Sequence, residues 1–504
     1  MMAGHMAPPG TLSDLLETTA ARCPEAPALP GLRWAEVAAA ARRIAGGLAR
    51  QGIGPGDRVA LFLPNRPGML LLLLALARRG ACAVLLNTRF RAAELGPLLE
   101  RAKPRAIAVA RDFAAVDAAA VLGAVPGAAR GSLRFAIGVD GMGEGSLAGL
   151  PVLPLGALDA GAEAPDDAAP EAECLTFTTS GTTAGPKLVL HRQRSIARHA
   201  ADVAARIGTG APGAAFLAAV PLCGTFGLAA AMAALAGGAA IHPMERFDAA
   251  EADALIRRAG ITHLVGGDDL LLMLAEAAAG RPYAPFAFTG FANFHGKAEQ
   301  VMEASARLNL AARAVYGSSE AQALFALQDP AGPHAAIGGG IPASPDAGFA
   351  IAGDGELLLR GPSLFDRYLG DEAATARART PDGWFRSGDL AAAQPDGRGF
   401  DFATRAGDAL RLGGFLVAPE EIESFLLAQP GLTAAQVVAH EGRAVAFVIP
   451  GAGYDEAAIL ATCAAQLARF KVPARLIALA EFPTTDGPNG RKVQRARLRE
   501  MAAA

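Results

Sequence analysis

Leu175-Thr176-Phe177-Thr178-Thr179-Ser180-Gly181-Thr182-Thr183-Ala184-Gly185-Pro186-Lys187 begins as a strand and ends as a loop of hydroxyls, glycines and one lysine. The alternation of aliphatic, aromatic and β-branched residues up to Thr179 suits a strand. From Thr178 onward, side-chain donors, backbone N–H groups and a point charge together could cradle an oligophosphate. The spacing is not that of a P-loop nucleotidase, because no Ser or Thr follows Lys187 and no second glycine stands in register. Taken alone, the segment is equally a phosphate cradle or a Ser/Thr-rich turn.

Outward from this strand the chain alternates helical patterns with short aliphatic strands. Trp34 to Gln51 is helical, Val59 to Leu63 and Cys82 to Leu86 are strands, and further strands follow at Ala215 to Val220, Ala239 to His242 and Thr262 to Val265. Such alternation specifies α/β layering with a largely parallel sheet. Ala114 to Ala172, with weak periodicity, reads as peripheral connections. After about Ser344 short strands separated by Gly, Pro and Asp predict antiparallel structure at Gly348 to Ile351, Glu356 to Arg360 and Gly399 to Phe402. Beyond Arg405 a compact α+β pattern follows. It comprises strand Ala409 to Leu412, helix Pro419 to Ala428, strands Gln436 to His440 and Arg443 to Ile449, helix Asp455 to Leu467, strand Arg475 to Ala478 and a basic tail.

The 504 residues, 52% of them hydrophobic, suffice for more than one core. Basic and acidic residues, 46 and 49, are spread evenly, so no tract argues for nucleic acid or an anionic membrane. The apolar run Met69 to Ala77 is far short of the roughly 20 residues of a membrane span and reads as a core helix. Met1 to Met6 lacks the pattern of a secretory signal. Cys23, Cys82, Cys174, Cys223 and Cys463 form no CxxC pair, which fits a reducing, cytoplasmic setting and argues against a zinc cluster. There are five lysines, Lys103, Lys187, Lys297, Lys471 and Lys492, so each lysine at a chemically meaningful position carries weight.

Four further segments follow Lys187 in order. They are Tyr316-Gly317-Ser318-Ser319-Glu320, then Gly355-Glu356-Leu357-Leu358-Leu359-Arg360-Gly361-Pro362, then Gly383-Trp384-Phe385-Arg386-Ser387-Gly388-Asp389-Leu390, and finally Arg405 with Gly413-Gly414. Together with Leu63-Pro64-Asn65 and Leu86-Asn87 they resemble the ordered motifs of the adenylate-forming superfamily of acyl-CoA synthetases, adenylation domains and luciferases, from about Thr11 to the C-terminus. The resemblance implies an α/β fold: a large N-terminal domain over 7–405, made of two layered α/β subdomains and a small β-barrel-like subdomain, and a small mobile α+β lid over 408–504. The hinge falls near 405–408, at Gly407.

By the same resemblance the chain is an AMP-forming acyl-CoA synthetase using ATP, Mg²⁺ and CoA. Lys187, Glu320 and Lys492 would be catalytic, with Glu320 holding Mg²⁺ as a hard oxygen ligand. Thr179, Ser180, Gly181, Thr182, Thr183, Tyr316, Gly317, Ser319, Asp389 and Arg405 would bind the nucleotide; Tyr316 would stack on adenine and Asp389 would accept both ribose hydroxyls. Gly224, Thr225, Phe226, Gly290, Phe291, Ala292 and Asn293 would line the acid pocket, and Gly413 and Gly414 the CoA tunnel. Taken singly, Tyr316 is more readily a core tyrosine, and Lys492 could equally belong to a solvated basic tail with Arg491, Arg495, Arg497 and Arg499.

The sequence departs from the family pattern in four places. Ala184 and Leu188 stand where the phosphate loop has glycine, and Gly407 replaces an acidic or lysine hinge. Residues 486 to 491 separate Thr485 from Lys492. Gly224 replaces the histidine or aromatic that gates the acyl pocket, which predicts room for a bulky apolar acid and no cation for a second carboxylate. Because the departures surround pyrophosphate release, two alternatives accompany the main reading. One is an enzyme performing only thioester formation from a preformed acyl adenylate. The other is an acyl-AMP ligase loading a carrier protein. A homodimer is a further expectation.

Overall fold

The computed structural model describes residues 9–110, 113, 116–139, 141–179, 187–294, 296–406, 408, 410–412, 415–417, 419–467, 470–487 and 490–503. Two large sheets organise the N-terminal 405 residues. The first runs, edge to edge, through Gly145–Leu147, Leu150–Pro154, Phe135–Val139, Ala106–Ala110, Arg58–Phe62, Cys82–Leu85, Glu173–Thr178 (β1), Leu188–Arg192 (β2) and Arg367–Tyr368. Its six central neighbours are parallel, while β2 turns back antiparallel to β1. Every residue of Cys82–Leu85 and Ala106–Ala110 is buried, as expected of parallel strands covered on both faces. Ala114 to Ala172 is therefore more than peripheral: it supplies Phe135–Val139, wholly buried in this sheet, and two edge strands.

The second sheet runs through Ala240–Pro243, Ala215–Ala218, His263–Gly267, Phe288–Ala292 (β3), Ala312–Ser318 (β4), Gln322–Leu327 (β5), Gly339–Pro342, Phe400–Arg405, Phe385–Ala393, Glu356–Arg360 and Gly348–Ile351. It is parallel as far as β4 and antiparallel from the β4–β5 hairpin onward. The antiparallel section is thus hydrogen-bonded directly onto the parallel one.

Helices Gln193–Ile207 (α1) and Thr225–Gly237 (α2) pack together beside the β4–β5 hairpin. In α2 every residue from Thr225 to Ala236 is buried, because Ala, Leu, Met and Phe leave it apolar all round, and Gly238 closes it at φ +84°. The helix Pro67–Arg78 is likewise apolar, with proline in its first turn.

From Leu410 a separate core gathers Leu412, Val417, Ile422, Leu426, Val437, Ala446, Val448 and Cys463. The C-terminal residues are not a solvated tail. Thr484–Gly487 pairs antiparallel with Gly490–Val493, and helix Arg495–Ala503 (α3) buries Leu498 and Ala502 against Val438, Val445 and Phe447. Arg495 donates to both oxygens of Glu423 at 3.0 Å, and Arg499 pairs with Asp408 at 2.7 Å.

Candidate active site

The β1–β2 hairpin closes on itself through Thr179 N–H to the Lys187 carbonyl at 3.0 Å and Lys187 N–H to Thr179 Oγ1 at 3.4 Å. Ser180, Gly181, Thr182 and Thr183 lie outside the described residues. Lys187 emerges with its ammonium 4.4 Å from the centre of the Tyr368 ring, and the Tyr368 hydroxyl donates to Glu320 Oε1 at 2.8 Å. Lys187 and Glu320, 133 positions apart in sequence, therefore meet across one tyrosine. Glu320 Oε2 accepts no hydrogen bond among the described residues, and no three His, Cys, Asp or Glu side chains converge there. Such a site suits Mg²⁺ held by one carboxylate together with substrate phosphates.

Beside it, Tyr316 lies buried at the end of β4. Its ring meets Phe400 edge-on at 5.1 Å, and its hydroxyl donates to Asp389 Oδ2 at 2.6 Å. Asp389 is aimed by a tight turn. Gly388, at φ +70°, donates to Glu356 Oε1 at 3.1 Å, Asp389 N–H donates to Ser387 Oγ at 3.0 Å, and that hydroxyl donates to the Leu357 carbonyl at 2.6 Å. Burial raises the Asp389 pKa, against the lowering effect of Arg405, whose Nε stands 3.3 Å from Oδ1. Oδ1 is buried yet accepts no hydrogen bond among the described residues. That orphan acceptor is what a hydroxyl donor such as a ribose diol would satisfy. The Tyr316 pKa is raised by burial and then by Asp389, so the phenol stays a donor.

Gly317 has a steric reason. A Cβ there would stand 2.4 Å from the Gln322 carbonyl oxygen and 2.5 Å from Ala323 Cα. The Ser319 carbonyl accepts from His191 Nε2 at 2.8 Å.

The residues expected to line the acid pocket flank the same hairpin on both sides. Thr225 Oγ1 accepts from Ala323 N–H at 3.1 Å, while Gly290 and Phe291 pair with Arg313 and Ala314 of β4. Phe226 and Phe291 are buried, Ala292 is half-buried and Asn293 is exposed. The loop before Gly224 is pinned from the first sheet by Asn65. Its amide donates to the carbonyls of Ala218 and Val220 at 3.0 and 2.8 Å and accepts from Leu222 N–H at 2.7 Å. Asn65→Ala would strand the Val220 carbonyl and the Leu222 N–H, the Ala218 carbonyl keeping the Met244 N–H at 3.1 Å, so a loss of about 1–3 kcal/mol is expected, read as an earlier first transition in calorimetry. Arg89, absent from the expected lining, acts electrostatically on the Cys223 thiol, which burial pushes up to about 12.

Gly407, Gly413 and Gly414 lie outside the described residues, as does the Lys492 side chain. The Lys492 backbone is placed: the residues inserted before it form a hairpin that sets Thr485 directly opposite Lys492. Sequence reading missed Tyr368, Glu356 and His191. Their partners lie 48, 32 and 128 residues away, beyond the reach of a local motif.

Residues 16–369 match the AMP-binding enzyme family, and residues 421–487 match the AMP-binding enzyme C-terminal domain. A Mycobacterium tuberculosis propanoyl:CoA ligase, whose acid carries a methyl-dioxo-octahydroindenyl group, is 32% identical over 91% of each chain. A 2-succinylbenzoate–CoA ligase from Geobacillus kaustophilus is 31% identical over 89% of each, and a sulfoacetate–CoA ligase from Cupriavidus necator is 30% identical over 97% of each. Among solved structures, ATP-bound MatB from Rhodopseudomonas palustris has the same fold, with a TM-score of 0.80 at 24% identity, covering 97% of this chain and 98% of that one.

Proposed function

The chain belongs to the AMP-binding enzyme family, and from that membership we propose that it is an AMP-forming acid–thiol ligase converting a bulky apolar carboxylic acid to its CoA thioester. One observation carries the reading: Lys187 and Glu320 meet across Tyr368, Asp389 and Arg405 meet beside Tyr316, and Glu320 acts electrostatically on both Asp389 and Arg405. In the first half-reaction the substrate carboxylate attacks the α-phosphorus of ATP, forming the acyl–O–P bond as the bond to pyrophosphate breaks. Asp389 and Arg405 hold the ribose end. Lys187 and Glu320 hold the phosphate end, Glu320 being the residue that would bind Mg²⁺, which neutralises phosphate charge when bound. A cation at Lys492 would stabilise charge developing between carboxylate and α-phosphate. In the second half-reaction the CoA sulfur attacks the acyl carbon, AMP leaves, and the thiol proton passes to solvent.

We assign 7–405 to the adenylate- and acid-binding domain and 408–504 to a lid that turns about Gly407. Gly413 and Gly414 would then line the CoA tunnel. The five unpaired cysteines suit a reducing cytoplasm, and a homodimer is compatible with this reading.

Gly224 supports the choice of acid. Its φ of −95° and ψ of 152° lie in extended backbone open to any residue, so the missing side chain is not demanded by the turn. Gly224→Trp should cut kcat/KM for ferulate, a bulky aromatic monocarboxylate of the kind a feruloyl-CoA synthase among the relatives takes, by tenfold or more while leaving acetate within threefold. Equal losses for both acids would refute the assignment. A second reading, a small acid with an anionic tail, is favoured by Arg89 beside Cys223 and by the similarity to a sulfoacetate–CoA ligase. Thioester formation compared across sulfoacetate, malonate and the monocarboxylate ferulate separates the two.

A further inference from the structure

The turn that carries Glu320 is built on unfavourable backbone. Strand β5 enters with Gln322 at φ +63° and Leu324 at φ +65°, neither of them glycine, and the β4–β5 register shifts between Tyr316↔Ala326 and Ser318↔Gln322. The left-handed region is disfavoured for such side chains, and conformations of this kind persist only where their surroundings over-determine them.

The surroundings do so here. His191 Nε2 donates to the Ser319 carbonyl at 2.8 Å and His199 Nε2 to the Ala323 carbonyl at 2.7 Å. The Gln322 amide donates to the carbonyls of Ser195 and Ser363 at 3.0 and 3.1 Å, and Phe365 N–H donates to the Glu320 carbonyl at 2.7 Å. A carbonyl only accepts, so each histidine must carry its proton on Nε2. Both rings are buried, which lowers their pKa values to about 4 and keeps them uncharged. The ionisable groups acting on them are Asp366 and His199 on His191, and Asp202 on His199. Among the described residues His191 Nδ1 has no hydrogen-bond partner, consistent with a ring serving as an Nε2 donor.

We propose that His191 and His199 are positioning residues: their Nε2–H groups hold the carbonyls on either side of the Glu320 turn, so that the carboxylate stays aimed at the phosphate end of the nucleotide. This rests on the functional reading above. Neither histidine touches substrate in that reading; each acts through β4–β5.

The test compares calorimetric binding of Mg·ATP, which needs Glu320, with that of AMP, which needs Asp389. His191→Leu and His199→Leu should each weaken Mg·ATP tenfold or more and leave AMP within about twofold. His191→Gln and His199→Gln, which keep an N–H near the Nε2 position, should restore Mg·ATP to within about threefold of wild type. Should the leucine variants fail to fold, His191→Asn, whose amide is too short to reach Ser319, takes their place with the same expected loss. Wild-type affinity for Mg·ATP in the donor-less variants overturns the proposal, as does an equal loss of both nucleotides. A wild-type enzyme that binds neither nucleotide overturns the functional reading itself.

Discussion

Replacing Asp389 by alanine is expected to weaken AMP binding by about 10²–10⁴-fold. The carboxylate would accept two charge-assisted hydrogen bonds from the ribose, each worth about 1.5–3 kcal/mol, and a factor of ten corresponds to about 1.4 kcal/mol. The same change removes the acceptor of the buried Tyr316 hydroxyl and the partner of Arg405. Asp389→Asn separates these contributions, since it keeps an acceptor for Tyr316 but loses the charge. Calorimetric titration with AMP decides the matter, and a change below threefold in the alanine variant would remove Asp389 from the nucleotide site.

Glu320→Gln is expected to divide the two half-reactions. ATP–pyrophosphate exchange should fall by roughly 10²–10³, the scale seen when one preorganised group facing developing charge is lost. Thioester formation from supplied acyl adenylate and CoA should stay within a few-fold, since no pyrophosphate departs in that step. Tyr368→Phe, which removes the hydroxyl donating to Glu320 Oε1, should show a smaller effect in the same direction. Equal losses in both half-reactions would mean that Glu320 supports the fold rather than the phosphates.

Strands were legible where an unbroken apolar run marks them, and the half-buried Gly348–Ile351 and Glu356–Arg360 were legible from the turn residues that flank them. Cys82–Leu85 is a continuous apolar run and reads as a strand without any pattern beyond that. Phe135–Val139 is equally buried but was lost, because Gly138 interrupts a five-residue segment inside an Ala- and Gly-rich stretch. Glycine is needed there, since a Cβ would stand 2.7 Å from the Met142 side chain. The terminal helix was hidden by its arginines. Its signal, Leu498 and Ala502 four apart on one face, is too short to stand against so much charge, and only the partner residues Val438, Val445 and Phe447 reveal it. Within the site, Tyr316, Glu320 and Asp389 were legible as motif positions. The residues that aim them were not: Glu356, Tyr368 and His191 act through hydrogen bonds to partners 32, 48 and 128 residues away, and no local spacing encodes those.

The backbone ladder between the last two long strands of the second sheet has a mechanical corollary. Asp389 is in direct register with Arg405, so the post from which the C-terminal segment departs is stitched to the carboxylate proposed to grip the sugar. Any swing about Gly407 would begin two residues past that seam. Under that proposal, torque from the moving part would be delivered to a joint shared with the sugar-binding carboxylate, and the backbone pairing there would let the chain hold its intermediate while everything downstream changes place.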